Sequence, residues 1–411
     1  MNCWKNINKN SDFSIYNIPF GVADLGGERQ IVSRIGDFVI VLDILQDAGV
    51  FSEIDLPYGI FINNSLNPMI ALGKGITTKI RLLTQRFFSD KAFADRFNLK
   101  EEEYLFESDV VQMVLPIEIG DYTDFYSSRE HATNVGTMFR GADNALMPNW
   151  LHLPVAYHGR SSSIVVSGTK FKRPAGQLPN RETGIPSYGK SKEMDIEVEM
   201  AFVIGKQTQL GETIDVHSAE DFIFGMVLFN DWSARDIQRW EYVPLGPFLG
   251  KNFASTISPW VVTMEALEPF RTEGPKQETE VLPYLKSIGD RSFDIIISAE
   301  LTTKEGVSTH ICTTNYKYLY WNPSQQLAHH TVNGCNVNIG DLMASGTISG
   351  KERTSFGSML EISWKGTQPI LLDDGTTRTF LLDGDSITLT AYSEKDDIKV
   401  GFGQAIGTVL D

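Results

Sequence analysis

FNDWSARDIQRWEYVPLGPFLGK, residues 229–251, follows the apolar run FIFGMVLF at 222–229, and the fold is read outward from this junction. The apolar run predicts a buried strand that ends in the polar pair Asn230 and Asp231. Ser233 and Asp236 have the spacing of a capping box, with Asp in place of Glu, so a helix is expected to start there. Pro244 should end that helix, because proline lacks an N–H and disfavours helical backbone before it. Within it, Arg235, Gln238 and Tyr242 stand at i, i+3 and i+7, which is one face. Lys251 follows after a Pro- and Gly-rich turn. A carboxylate, a guanidinium, an amide and a phenol therefore converge at the end of a buried strand. A capped surface helix with an exposed polar face satisfies the same spacing, and the rest of the chain must decide between the two.

The chain has 411 residues, more than one core usually serves, which predicts two domains. Its formal charge of −16 repels phosphate backbones and anionic membranes, so neither nucleic acid nor a membrane is expected as partner. An acidic substrate would need local cations or a metal. Cys3, Cys312 and Cys335 are odd in number and lack CxxC spacing, which indicates neither a disulfide framework nor a cysteine zinc site. The first residues, MNCWKNINKNSDFSIYNIPFG, show no apolar leader core, and a reduced, cytoplasmic setting is expected.

Residues 1–117 read as a separate small unit. SRIGDFVIVLDIL at 33–45 is β-rich, with a turn at Gly36 and Asp37, and 67–88 carries an apolar stripe at helical spacing that Gly73 and Gly75 interrupt. A small sheet or barrel with a packed helix fits. From Val114 the texture changes to short β-like runs with long polar connections. EMDIEVEMAFVI (193–204), FDIIISAEL (293–301), SMLEISW (358–364), SITLTAY (386–392) and 398–403 are expected as strands. A helix is expected from Asn322, with Pro323 in its first turn. Without regular βα alternation, a mainly β, mostly antiparallel sandwich or roll is favoured over a doubly wound sheet.

Glu197 and Glu199 at i and i+2 share one face of a strand, with Ile196, Val198 and Met200 on the other. If that face is dry, a hard cation relieves their repulsion, and oxygen ligands suit Mg²⁺ or Ca²⁺. Asp124 with Tyr126 repeats the spacing, and Asp231 ends its own strand. A solvated acidic edge explains the same pattern. His329 and His330 are adjacent and cannot share a helix face, which favours a packed or interface pair. His152 and His158 are read as structural, and Trp150, Trp232, Trp260 and Trp364 as core. Gly346, Gly350 and Gly357 provide either close backbone approach or loop mobility.

Six segments decide among these readings: DYTDFYSSREHATNVG (121–136), MFRGADNALMPNWLHLPVAYHGR (138–160), DIEVEMAFVIG (195–205), GMVLFNDWSARDIQRWEYVPLGPFLGK (225–251), ASGTISG (344–350) and FGSMLEISWKG (356–366). They resemble the fumarylacetoacetase family, and the similarity runs from about residue 114 to the C-terminus. The resemblance implies a mixed β-sandwich roll catalytic domain over 118–411 and a small SH3-like β-barrel over 1–117. It implies a metal-dependent homodimer that hydrolyses 4-fumarylacetoacetate to fumarate and acetoacetate, the last step of tyrosine and phenylalanine breakdown.

Carried over by motif, the family's Ca²⁺ or Mg²⁺ ligands fall on Asp124, Glu197, Glu199 and Asp231, and a second, Mg²⁺-like position on Asp231, Lys251 and Ser255. Ser255 stands where many relatives carry threonine, so the hydroxyl is kept. The general base falls on His131 and its orienting carboxylate on Glu361. Substrate contacts fall on Tyr126, Arg140, Tyr157, Gln238, Tyr242 and Thr347, and the groups that meet a developing oxyanion on Arg235, Gln238 and Lys251. The chemistry is consistent. Imidazole can take a proton from water near neutral pH, and donors near the attacked ketone stabilise its charge. A wider-family reaction on another diketo acid, such as acylpyruvate hydrolysis, decarboxylation or isomerisation, is the alternative.

Overall fold

The apolar run at 222–229 lies in the strand Ile223–Asp231, which is buried along its whole length. The computed structural model describes residues 1–8, 10–180 and 182–411. In it this strand belongs to a mixed eight-stranded sheet. From one edge the order is Ala156–His158, Tyr122–Phe125, Leu342–Ala344, Val198–Ile204, Ile223–Asp231, Ser255–Ile257 and Ile164–Val166, with Val262–Thr263 beside the first half of Ile223–Asp231. A second sheet runs Ser308–Asn315, Ile296–Thr302, Ser386–Lys395, Ile398–Leu410 and Thr169–Lys172.

Side-chain parity explains the layering. Val198, Met200, Phe202, Met226 and Leu228 face the five-stranded sheet and meet Ala299, Leu301, Ile387 and Leu389 in one apolar cluster. The alternate side chains, Ala201, Val203, Val227 and Phe229, enter a second cluster that Phe20, Val22, Ile31 and Ile40 of the N-terminal unit complete. The central sheet is therefore covered on both sides. That is why its inner strands read as continuous apolar runs instead of alternating ones.

The N-terminal unit is a five-stranded antiparallel sheet, ordered Leu105–Glu107, Phe38–Val41, Arg29–Ile35, Phe20–Asp24 and Gln112–Val114. The apolar stripe at 67–88 becomes two helices, Asn67–Ile70 and Lys74–Ser89, parted at Gly73, whose φ of 90° few other residues adopt. Reciprocal backbone hydrogen bonds between Phe20 and Val261, 3.0 and 2.8 Å, tie this unit to the main body. No helix among the described residues is long and apolar enough to cross a membrane.

The helix expected from Asn322 is present as Pro323–Thr331, with Asn322 Oδ1 accepting the Gln325 N–H at 3.0 Å. Five local expectations need correction. The 293–301 segment is two strands, Ser292–Phe293 and Ile296–Thr302, because the first pairs with Arg271–Thr272 and the second joins the five-stranded sheet. The 193–204 segment is two strands, Met194–Asp195 and Val198–Ile204, because the first pairs with Ser233–Ala234 and the second with Ile223–Asp231. That same pairing holds Ser233 extended, so the following helix starts later, at Arg235, without a capping box. Asp236 accepts instead from Ser191 Oγ at 2.6 Å and from the Lys192 N–H at 2.7 Å. SMLEISW is not a strand. Ser358 Oγ accepts the Glu361 N–H and starts the short helix Met359–Ile362. Trp364, at φ 47°, is half-buried, unlike Trp150, Trp232 and Trp260, which are core.

Candidate active site

Strand register brings distant carboxylates together. Glu199 pairs with Phe229, two residues before Asp231, and Ala344 pairs with Ala201 on one side and Asp124 on the other. Paired residues share a face, so Asp124, Glu199 and Asp231 leave the central sheet on the same side as Phe229 and Ala344. Glu197 reaches the group from the break between the two short strands, where its N–H donates to Asn230 Oδ1 at 3.2 Å. One oxygen from each of the four lies within 4.8 Å of the others, and all four side chains are buried.

Two cations and two hydroxyls reach part of this quartet. Lys251 Nζ donates to Glu197 and, at 2.8 Å, to Asp231 Oδ2, and Arg235 Nη1 lies 2.8 Å from Glu197 Oε1. Ser255 Oγ donates to Asp231 Oδ1 at 2.9 Å and Tyr157 Oη to Asp231 Oδ2 at 2.6 Å. Burial raises the Glu197 carboxyl, but Lys251, Arg235 and His131 together outweigh it and hold the group well below the usual carboxylate range. Asp124 and Glu199 go the other way. Burial pushes both well above that range, and the neighbouring carboxylates add to the shift. Asp124 Oδ1 and Glu199 Oε1 are buried with no hydrogen-bond partner among the described residues. Buried, unpartnered carboxylate oxygens are strongly unfavourable, and a hard cation would satisfy them. The donor set, all oxygen, fits a divalent metal ion.

His131 is the third residue of the helix Arg129–Arg140, and Ser128 caps that helix by accepting the His131 N–H at 3.2 Å. Its ring Nδ1 lies 2.7 Å from Glu361 Oε2, and both side chains are buried. Glu361 also accepts from Asn134 Nδ2 at 2.9 Å, from Ser349 Oγ at 3.0 Å to each oxygen, and from Ser358 Oγ at 2.8 Å. Burial raises this carboxyl, but His131, Asn134 and Ser358 outweigh it and keep it below its ordinary value. An ionised Glu361 accepts a hydrogen bond from Nδ1–H. That fixes the tautomer and leaves Nε2 as the nitrogen able to accept a proton.

Both groups meet at one cavity of about 670 Å³. Its wall includes His131, Asp124, Glu197, Lys251, Arg235 and Gln238, together with Tyr126, Tyr157, Tyr242, Arg140 and Thr347. Glu361, Glu199, Asp231 and Ser255 bond to wall residues or to their neighbours from behind. Tyr126 meets the His131 ring edge-on at 5.2 Å. Arg235 Nη1 donates to Gln238 Oε1 at 3.2 Å, which keeps the helix face proposed from spacing, and Tyr242 sits half-exposed at its end. Arg140 closes the far end of the His131 helix, roughly 13 Å along its axis, and donates to the Asn144 and Ala145 carbonyls at 3.1 and 2.6 Å. Arg235 Nη2 and Thr347 Oγ1 are buried without a partner among the described residues.

The glycines around Thr347 serve packing and not mobility. A Cβ at Gly346, whose φ is 76°, would lie 2.1 Å from the Phe125 oxygen, and one at Gly357 would lie 2.5 Å from the Ile348 oxygen. His329 and His330 part company, as their adjacency requires. His329 Nδ1 bonds Tyr284 Oη at 3.0 Å and His330 Nε2 bonds Thr123 Oγ1 at 3.1 Å. Sequence reading missed the groups that hold Glu361, namely Asn134, Ser349 and Ser358, and also Asp195, which lies 2.7 Å from Arg235. Only Ser358 left a local signal, its spacing of three before Glu361.

The β-roll, with a cage of buried oxygens able to hold a metal ion beside a carboxylate-held imidazole, defines the class, a hydrolase. Residues 121–410 match the family described as fumarylacetoacetate (FAA) hydrolase, C-terminal, and residues 16–116 the one described as fumarylacetoacetase, N-terminal. The chain is 50% identical over 408 residues to the fumarylacetoacetase of Homo sapiens, covering 98% of this chain and 97% of that one. It is 47% identical over 418 residues to that of Caenorhabditis elegans, covering 100% and 99%. The fumarylacetoacetate hydrolase structure from Exiguobacterium antarcticum shares the fold, with a TM-score of 0.53 at 15% identity over 96% of this chain and 99% of that one. This chain belongs to the fumarylacetoacetate hydrolase family.

Proposed function

We propose that this enzyme hydrolyses the carbon–carbon bond of 4-fumarylacetoacetate to give fumarate and acetoacetate, the closing step of tyrosine and phenylalanine breakdown. The observation that carries this reading is the His131–Glu361 pair, 2.7 Å apart, opening on the same cavity as the buried carboxylate quartet. Near-full-length identity of about one half with curated fumarylacetoacetases supports the choice of substrate.

His131 Nε2 takes a proton from a water, and the hydroxide adds to the ketone beside the fumaryl group. Glu361 stabilises the imidazolium that forms. Arg235, Gln238 and Lys251 meet the tetrahedral oxyanion, and Arg235 Nη2 is a buried donor without a partner among the described residues. Collapse re-forms the carbonyl as a carboxylic acid and breaks the bond to the methylene, whose electron pair leaves as an enolate. The proton held on His131 then returns to that carbon. Arg140, Tyr126 and Tyr157 grip a substrate carboxylate, with Tyr242 and Thr347 closing the remaining wall. Asp124, Glu197, Glu199 and Asp231 would hold Ca²⁺ or Mg²⁺, which supplies Lewis-acid stabilisation of enolate charge when bound. Asp231, Lys251 and Ser255 form the candidate second cation position.

We further read the enzyme as a cytoplasmic homodimer with an N-terminal domain over 1–117 and a catalytic domain over 118–411. Three free cysteines support the reducing compartment. The direct test is loss of the diketone absorbance with stoichiometric fumarate and acetoacetate. Turnover of an acylpyruvate in preference to fumarylacetoacetate would overturn the substrate assignment.

A further inference from the structure

Asp195 is fully buried and does not line the cavity, yet it bonds two segments that do. Its Oδ1 accepts the N–H of Ile196 at 2.8 Å and of Met359 at 2.7 Å. Its Oδ2 accepts the N–H of Leu360 at 3.1 Å and Arg235 Nε at 2.7 Å. An ionised carboxylate offers about four lone-pair sites, so this one is fully used. Met359 and Leu360 are the first two residues of the helix whose third residue is Glu361. Arg235 opens the other helix at the site, and its Nη1 contacts Glu197 and Gln238. One buried group therefore fixes the guanidinium that faces the substrate and the helix start that carries the carboxylate behind His131.

We propose that Asp195 is a positioning residue for the hydrolysis, locking Arg235 and the Met359–Ile362 helix into one frame so that the oxyanion donor and the His131–Glu361 pair are set relative to each other. Neither anchor is replaced locally. Without Asp195, Arg235 Nε loses its acceptor and the guanidinium is drawn toward Glu197, while two helix-start N–H groups are left buried and unpaired. Arg235 still bears its charge, so substrate is still attracted. What is lost is alignment, which acts on the chemical step more than on binding.

This inference rests on the proposed roles of Arg235 and Glu361, and the experiment separates the two. Steady-state rates on fumarylacetoacetate are measured for Asp195→Asn, Arg235→Lys, Glu361→Gln and the Asp195→Asn/Arg235→Lys pair, each normalised to Ca²⁺ stoichiometry by calorimetry. Asn keeps the volume but offers a single acceptor oxygen and turns an NH₂ toward donors. The expected result is a kcat per Ca²⁺ site lowered by about tenfold or more with KM nearly unchanged, and a double variant no slower than its slower parent. A kcat per site equal to that of the wild type, or fully additive losses in the double variant, would overturn the proposal, because a purely structural role lowers the number of active sites and not their rate. If Arg235→Lys and Glu361→Gln themselves keep wild-type rates, the reading of the site fails and the inference falls with it. Should Asp195→Asn not fold, Asp195→Glu retains the charge while displacing both oxygens by a methylene, and the same cycle is read on it.

Discussion

Replacing Glu361 by Gln keeps the side-chain volume and removes the charge that faces His131 Nδ1 at 2.7 Å. The carboxylate it replaces is fully buried and accepts from four side chains: His131, Asn134, Ser349 and Ser358. An amide has one acceptor oxygen, and its NH₂ must face at least one of those donors. Removing one partner from a buried charged pair costs about 3–5 kcal/mol. That cost falls most heavily on the transition state, where the imidazole is cationic. At about 1.4 kcal/mol per decade, kcat drops by roughly two to four orders of magnitude. KM changes little, because Glu361 stands behind the cavity wall. Fumarylacetoacetate turnover followed by diketone absorbance reads both constants. A second, independent signature is the acid limb of stability. Glu361 is held below its ordinary value of 4.5 in the folded state. Its contribution is therefore complete above that value and is lost as pH falls through the lower, folded one. The difference in melting temperature between wild type and Glu361→Gln should shrink across that acid window. Wild-type kcat in the variant, or a melting difference that stays constant into acid, would refute the reasoning.

Cation loading should be linked to protons. Asp124 and Glu199 are raised in the cation-free protein, so above the ordinary carboxylate range the native state holds more protons than the unfolded one. The melting temperature of chelator-treated protein should fall as pH rises through that window, and adding Ca²⁺ should restore it with proton release, seen as a calorimetric heat that depends on the buffer. A buffer-independent heat would contradict the cage. His131→Gln should abolish turnover while leaving Ca²⁺ stoichiometry intact, and loss of Ca²⁺ binding instead would make His131 part of the cage. Gly346→Ala forces a left-handed φ and a contact of 2.1 Å with the Phe125 oxygen, so urea denaturation should show a loss of at least about 1–3 kcal/mol. An unchanged midpoint would mean the loop relaxes freely. Trp232→Ala removes a fully buried indole whose Nε1 bonds Thr256 Oγ1 at 2.9 Å. A loss of about 3–5 kcal/mol is expected in the same assay.

Local patterns proved readable only where the tertiary structure left them alone. The helix from Asn322 was legible because the residues that start it, Asn322 and Gln325, bond to each other. Ser233 with Asp236 and Ser358 with Glu361 carry the same spacing, yet the first sits in a strand pair with Met194–Asp195 and the second starts a helix. Nothing within either segment reveals whether a partner strand will claim its backbone. That Glu197 and Glu199 would meet was suggested by period two, yet Glu197 lies in the break between two strands; Ile196, Val198 and Met200 do pack in the main core. That Asp124 and Asp231 would join them was not legible from spacing, since it depends on the order of four strands spread over more than half of the chain. Family resemblance supplied what periodicity lacked. Even so, it passed over Asp195, Ser349 and Asn134, which do not line the cavity and are visible only as hydrogen bonds between separate segments.

Positive groups of the protein reach one half of the quartet and not the other. Lys251 and Arg235 both contact Glu197, and Lys251 also contacts Asp231. These two side chains therefore sit within the protein's own ion pairs. Among the described residues, Asp124 and Glu199 have no such neighbour in contact, and each keeps a buried oxygen without a donor. Protein cations thus neutralise one half of the cage and leave the other half for an external ion. Exchanging Lys251 for a neutral residue would shift that balance by adding uncompensated charge at Glu197 and Asp231. It should tighten the hold on a divalent cation even as it removes an oxyanion donor from the cavity, so affinity for Ca²⁺ and turnover should move in opposite directions in Lys251→Met. Calorimetry and steady-state rates on that one variant measure both, and a parallel loss of the two would show that Lys251 supports the cage and does not compete with the ion for it.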